Sequence, residues 1–114
     1  MLQKILIPIT GDDVAPRFDL ATEIQVITTS NDVIEESKTI VLPQASAEKL
    51  CHLIITENAK VIICGGIEDE YHQYLTWKRI QIFDSVIGKW KKALELLMKE
   101  TLTPGDILSN EETK

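Results

Sequence analysis

Cysteine, aromatic residues and long apolar runs are all scarce in this chain of 114 residues. Its two cysteines, Cys51 and Cys64, are too few for a disulfide framework, so we expect reduced thiols and a cytoplasmic protein. No apolar stretch approaches the roughly 20 residues of a membrane span. Met1 is followed by a strand-like segment rather than a signal peptide. These absences predict that the chain has no membrane partner.

Basic residues are also in deficit, with 12 lysines and arginines against 18 acids and a net charge of −6. Because binding to nucleic acid needs a basic face that neutralises phosphates, we expect no nucleic-acid partner. Five of the basic residues nevertheless fall between positions 78 and 92, shortly after an acidic run at 68–70. Charge runs of this kind usually form solvated faces.

The remaining composition is that of one folded domain. Hydrophobic residues make up 44% and charged residues 26% of the chain, which is ordinary for a globular protein. The length suits a single core. We therefore predict one domain over residues 1–103, followed by a polar C-terminal tail over 104–114.

Five segments have the pattern of strands. Nearly continuous apolar runs indicate strands that are covered on both faces, and β-branched segments on either side of a short polar turn indicate an antiparallel hairpin. The five predicted strands cover residues 4–9, 24–29, 33–42, 60–64 and 80–83. The first should be central in the sheet, and the strand at 60–64 should lie parallel to it, because a helix connects them.

Three segments have helical periodicity, at 46–58, at 68–77 and from the residue after Gly88 to about 102. Ser46 is the expected N-cap of the first, and Cys51 belongs to its apolar stripe. The predicted element order is therefore β-β-β-α-β-α-β-α. This order defines an α/β fold with a mixed five-stranded sheet.

Three motifs indicate a family. They are Ile-Pro-Ile-Thr-Gly-Asp at 7–12, Val-Ala-Pro-Arg-Phe-Asp at 14–19 and Val-Ile-Ile-Cys-Gly-Gly-Ile at 61–67. Over roughly residues 2–102 the chain resembles the dinitrogenase iron-molybdenum cofactor biosynthesis family. The resemblance implies a three-layer, ribonuclease-H-like fold. It also implies a non-catalytic carrier of an iron-molybdenum or related metal-sulfur cofactor or its precursor, with a cofactor donor or acceptor protein as partner.

The second motif carries three candidate cofactor-binding residues, Arg17, Phe18 and Asp19. Phe18 can bury its ring and so anchor the loop. The guanidinium of Arg17 can fork onto Asp19 or onto an external anion, and the sequence leaves both readings open.

The third motif supplies further candidates for cofactor binding, Cys64, Gly65 and Gly66. A glycine pair at the end of a parallel strand allows either a ligand or another backbone to come close. Cys64 and His72 are the predicted metal ligands, although a buried cysteine is more often a small core residue. The other histidine, His52, falls off the apolar stripe of its helix and should face solvent.

Two departures from the family pattern favour a second hypothesis. The glycine pair is followed by the three acids at 68–70, which oppose an anionic ligand at a helix N-terminus. The loop at 43–45 is also too short to supply the glycine and histidine that many members carry. The alternative is a small protein-interaction or regulatory module, for instance a homodimer, that has lost cluster binding. We expect no enzyme, because the strand at 4–9 has no acid for two-metal chemistry and no nucleophile elbow is present.

Overall fold

The computed structural model describes residues 2–108. They form six strands, three α-helices and one 3₁₀ turn. The strands are β1 (Leu2–Thr10), β2 (Asp13–Val14), β3 (Glu23–Ser30), β4 (Val33–Val41), β5 (Val61–Ile63) and β6 (Gln81–Phe83). The helices are α1 (Ala47–Thr56), α2 (Asp69–Trp77) and α3 (Trp90–Met98), and the 3₁₀ turn covers Phe18–Leu20.

The sheet has the strand order β4-β3-β1-β5-β6, with β1 in the centre. β1 pairs antiparallel with β3 and parallel with β5, while β3 and β4 form an antiparallel hairpin and β5 and β6 run parallel. Consecutive side chains of β1, among them Ile5, Leu6 and Ile7, are buried on opposite faces. The central position and the two covered faces predicted for this segment are confirmed.

The predicted count of five strands is wrong by one, because β2 lies in what we expected to be a loop. Asp13 and Val14 fold back on the end of β1 and pair antiparallel with Thr10 and Ile9. A strand of two residues is too short to have an alternating pattern, so no sequence signal distinguishes it from a turn.

The connection between β3 and β4 is a two-residue turn, one residue shorter than the gap between the predicted strands at 24–29 and 33–42. Asn31 and Asp32 both have positive φ, at 52° and 69°. Such a turn matches the right-handed twist of the flanking strands, and asparagine and aspartate tolerate the left-handed region better than most residues.

Helices cover both faces of the sheet, which gives three layers. The core on one face joins side chains of β1, β3 and β5 to α3. The core on the other face joins the sheet to α1 and α2. The α/β class is confirmed, and the ribonuclease-H-like assignment stays a prediction. The predicted cap is present, since the Lys49 backbone N–H donates to Ser46 Oγ at 3.1 Å.

Helix α3 ends earlier than predicted, and the chain after it returns to the loop that follows β6. Glu100 has φ of 61°, which takes the backbone out of the helix. The Leu108 N–H then donates to the Ile87 carbonyl at 2.7 Å, and the Ile87 N–H donates to the Asp106 carbonyl at 3.0 Å. The predicted tail over 104–114 is thus described as far as Leu108, while 109–114 lie outside the described residues. No helix within residues 2–108 is long and apolar enough to cross a membrane.

Candidate functional site

The carboxyl ends of the parallel strands meet at one edge of the sheet, where open α/β sheets commonly bind ligands. A cavity of about 550 Å³ lies at this edge, between the loops that follow β1, β5 and β6. It is lined by Asp13, Val14, Pro16, Gly65, Gly66, Ser85, Val86, Ile87, Gly88 and Leu108. This lining comes from three loops and includes the glycines Gly65, Gly66 and Gly88.

Backbone hydrogen bonds hold the loop after β1 against its neighbours. The Val14 N–H donates to the Gly88 carbonyl at 2.8 Å, and the Trp90 N–H donates to the Asp12 carbonyl at 3.0 Å. The Ala15 N–H donates back to the Pro8 carbonyl at 2.9 Å. Two walls of the cavity are therefore fixed to each other and to the sheet.

The two glycines after β5 have different roles. The Gly66 N–H donates to the Pro16 carbonyl, and the Phe18 N–H donates to the Gly66 carbonyl, both at 2.8 Å. A Cβ on Gly65 would lie 2.3 Å from the Ala15 carbonyl oxygen and 2.5 Å from that of Pro16, so the position accommodates a neighbouring backbone. A Cβ on Gly66 would meet only the Pro16 oxygen, at 3.5 Å. Gly66 is exposed and is the glycine open to a ligand.

Phe18 is buried, and Arg17 takes one of the two arrangements that the sequence left open. Phe18 is 1% exposed and packs near Tyr71, with the ring centroids 6.3 Å apart, so it anchors the loop. Arg17 forks onto Asp19, with Nε 3.0 Å from Oδ1 and Nη2 2.7 Å from Oδ2. The arginine side chain is nevertheless 55% exposed. Its charge can therefore still act on an anion at the surface.

Both cysteines belong to the core between the sheet and helices α1 and α2. Cys51 lies on α1 itself. Cys64 follows β5 directly and is fully buried. Burial, and secondly the Asp84 carboxylate, raise the pKa of the Cys64 thiol to about 12. Burial and the Glu48 carboxylate raise the pKa of Cys51 to about 11. A buried, protonated thiol has a structural role more readily than it binds a metal, so the ligand role of Cys64 stays a prediction.

His72 is the more accessible of the two predicted metal ligands. It lies in the first half of α2, with Nε2 3.8 Å from Asp84 Oδ1 and a side chain that is 40% exposed. The Ser85 hydroxyl donates to the other oxygen of Asp84 at 3.3 Å. A histidine that lies near a carboxylate and is open to solvent can occupy a vacant position on a metal that is held by other means.

Across residues 2–108, no three histidine, cysteine, aspartate or glutamate side chains come together as a metal site. Iron-sulfur clusters are held by several protein thiolates. The residues present therefore do not fit a cluster that the protein itself chelates. They leave room for a ligand bound by shape, backbone contacts and one donor.

The charges around the cavity are mixed. Glu68, Asp69 and Glu70 are exposed at the start of α2, beside Gly66. Lys89 approaches Asp13, with Nζ 3.8 Å from Oδ1. Of the basic residues between 78 and 92, Lys78 precedes β6 and Lys89 follows it, so these two lie towards opposite ends of that strand.

Sequence reasoning missed three residues at this edge: Asp84, Gly88 and Leu108. Gly88 has φ of 130°, and a Cβ there would lie 2.7 Å from Leu108 Cβ, so glycine is required on both counts. A glycine between a strand and a helix was a usable signal for this close contact. Leu108 had none, because it lies in a segment that looked like a polar tail.

Comparisons with solved structures identify proteins that share this fold. No protein-family model and no curated protein matches the sequence. The crystal structure of PH0822 matches with a TM-score of 0.78 at 16% identity, over 90% of this chain and 94% of that one. A provisionally named dinitrogenase, MJ0327 from Methanocaldococcus jannaschii, matches with a TM-score of 0.74 at 21% identity, over 90% and 94%. The apo form of the orange protein from Desulfovibrio gigas matches with a TM-score of 0.72 at 17% identity, over 90% and 92%. At these identities the likeness establishes the fold.

Proposed function

We propose that this chain is a non-catalytic protein that binds an anionic metal-sulfur cofactor, of the iron-molybdenum class or its precursor, at the carboxyl edge of its parallel strands. The observation that carries the proposal is the cavity of about 550 Å³ with three fixed backbone loops as its walls. The names of two proteins with this fold, a dinitrogenase and the orange protein, support a cofactor-related role. So does the resemblance of the three sequence motifs, with the ribonuclease-H-like fold that it implies.

The ligand is the cargo of this site and is held without a full set of protein ligands. Gly66 lets it approach the backbone, since no side chain intervenes there. His72, whose Nε2 lies 3.8 Å from Asp84 next to the lining residue Ser85, supplies one donor nitrogen. Arg17 adds positive charge at the neighbouring surface, reduced by its pairing with Asp19. This mode of binding allows the cargo to be passed to an acceptor protein without breaking several metal-thiolate bonds.

One observation favours the alternative function, a protein-interaction or regulatory module. The exposed acids Glu68, Asp69 and Glu70 stand beside Gly66 and repel an anion. A partner with a basic surface would instead be attracted to them. The two functions differ in whether the protein alone binds an anionic metal-sulfur compound.

The test is an anaerobic titration of the purified protein with tetrathiomolybdate and, separately, with a synthetic iron-sulfur cluster, followed by absorbance. Two variants are compared with the unmodified chain, Gly66→Leu, which fills the cavity from a position with space, and His72→Ala, which removes the donor. The matched control is His52→Ala, since His52 is exposed on α1, whereas His72 lies 3.8 Å from Asp84 in the loop after β6, which lines the cavity.

We expect binding of one equivalent by the unmodified chain and by His52→Ala. Binding should weaken at least tenfold in Gly66→Leu and His72→Ala, which is about 1.4 kcal/mol. Absence of binding by the unmodified chain would reject the carrier function in favour of the interaction module. Equal binding by all variants would reject this site.

A further inference from the structure

The outer edge of β4 is the longest free strand edge in the described part of the chain. β4 spans nine residues and stands at the end of the strand order, where within residues 2–108 it pairs only with β3. Most of its side chains are exposed. An unpaired strand of this length presents a row of backbone donors and acceptors to another chain.

One hydrogen bond shows which residues of β4 face outward. The Leu42 N–H donates to the Thr22 carbonyl at 2.8 Å, and the two residues are opposite each other by continuation of the Glu23 to Val41 register. Opposite residues of an antiparallel pair alternate between hydrogen-bonded and non-hydrogen-bonded. The residues of β4 that bond to β3 are therefore 36, 38 and 40. The residues 37, 39 and 41 direct their N–H and C=O groups to the free edge.

A second copy of β4 can form backbone hydrogen bonds with this edge only where residues that direct their N–H and C=O groups outward lie opposite one another. An antiparallel pairing with its two-fold axis at Ser37 satisfies this condition. It places Glu36 of each copy opposite Lys38 of the other. Moving the axis to Glu36 or to Lys38 would instead place like charges opposite each other, which destabilises a strand pair. Of these three axes, only the one at Ser37 places opposite charges against each other.

Other features of β4 agree with this pairing. Neither Glu36 nor Lys38 forms an ion pair among residues 2–108, so both are available. The register irregularity between Thr28 and Thr29 ends the regular part of β4 near residue 35. The pairing therefore spans residues 35–39 of each copy.

We propose that this protein forms a symmetric dimer through antiparallel pairing of β4 with β4 of a second copy, with the register set by two Glu36 to Lys38 contacts. The two sheets become one continuous sheet. The cavity at the other end of the strand order, beside β5 and β6, stays open in both copies. The inference is independent of the proposed function.

The test is the mass in solution by sedimentation equilibrium, with a charge-exchange cycle on β4. Glu36→Lys places two lysines opposite each other, and Lys38→Glu places two glutamates opposite each other. The double variant Glu36→Lys with Lys38→Glu restores opposite charges, and so does a mixture of the two single variants, as a heterodimer. Thermal unfolding of each variant checks the fold, because the pKa of Glu57 is lowered first by its hydrogen bond from Lys4 and further by the nearby charge of Lys38.

We expect a species of twice the 12.9 kDa chain mass for the unmodified protein. Each single variant should dimerise about tenfold more weakly, and the double variant and the mixture should regain the dimer. A chain that stays at monomer mass up to about 1 mM would overturn the proposal. So would a dimer that the single variants leave unchanged, or single-variant losses that neither the double variant nor the mixture restores.

Discussion

Replacing Gly65 by alanine tests whether the site edge is built by close approach of two backbones. The added Cβ would lie 2.3 Å from the Ala15 oxygen and 2.5 Å from the Pro16 oxygen. Both are backbone atoms, so the loop after β2 must move away. That movement strains or breaks the two 2.8 Å bonds that join Gly66 to Pro16 and to Phe18.

The size of the effect follows from these contacts. Overpacking in a tight site costs about 1–3 kcal/mol. Loss of one or two hydrogen bonds costs about 1 kcal/mol each. We expect Gly65→Ala to lower the free energy of unfolding by about 3 kcal/mol, and the midpoint of thermal unfolding by on the order of 10 °C.

The assay is urea denaturation followed by circular dichroism, with thermal unfolding alongside. The matched control is Gly66→Ala, whose Cβ meets a single atom at an ordinary 3.5 Å. It should change stability by less than about 0.5 kcal/mol. Equal stabilities of Gly65→Ala and the unmodified chain, or equal losses in both variants, would refute the assignment of Gly65 to backbone packing.

Three further predictions concern the core between the sheet and helices α1 and α2. Phe18→Ala should cost about 3–5 kcal/mol in urea denaturation, because the ring is 1% exposed and anchors the loop; a loss below about 1 kcal/mol would contradict this. In the native protein at pH 8, a thiol reagent should modify neither Cys51 nor Cys64, whose raised pKa values of about 11 and 12 leave both thiols protonated, whereas both should react in denaturant. The same shifts make stability fall with rising pH, since the unfolded thiols ionise near the ordinary pKa of 9.0 and the folded ones do not. The contribution of the two thiols to the free energy of unfolding is complete below about pH 9 and is lost as the pH rises towards 11 and 12. The free energy of unfolding of Cys64→Ala should therefore fall less steeply with alkaline pH than that of the unmodified chain. An unchanged dependence of stability on pH would contradict the raised pKa of the buried Cys64 thiol.

Much of the fold could be predicted because its strongest signals are local. The apolar run that became β1 is continuous because β1 is central and covered on both faces. Ser46 caps α1 as expected, since a cap depends only on the next few residues. β2 and the returning segment at 103–108 could not be predicted. Each is held by backbone hydrogen bonds to distant residues, which leave no periodic trace in the sequence.

The candidate site was only partly predictable for a related reason. The sequence indicates that the glycine pair ends a parallel strand, but not that Gly65 faces a backbone and Gly66 faces the cavity. It names Cys64 and His72 together, whereas the structure buries Cys64 and leaves the side chain of His72 40% exposed. The difference depends on how α2 and the loop at 84–89 pack over β5, which is tertiary information.

The central claim is that the cavity at the carboxyl edge of β5 and β6 binds an anionic metal-sulfur compound. The most direct measurement is an anaerobic NMR titration of the isotopically labelled chain with tetrathiomolybdate, which follows each backbone amide. We predict saturable shifts at Gly65, Gly66, Ser85 and Gly88, with small changes on β4. Shifts confined to other surfaces, or none at a large excess of the compound, would contradict the claim.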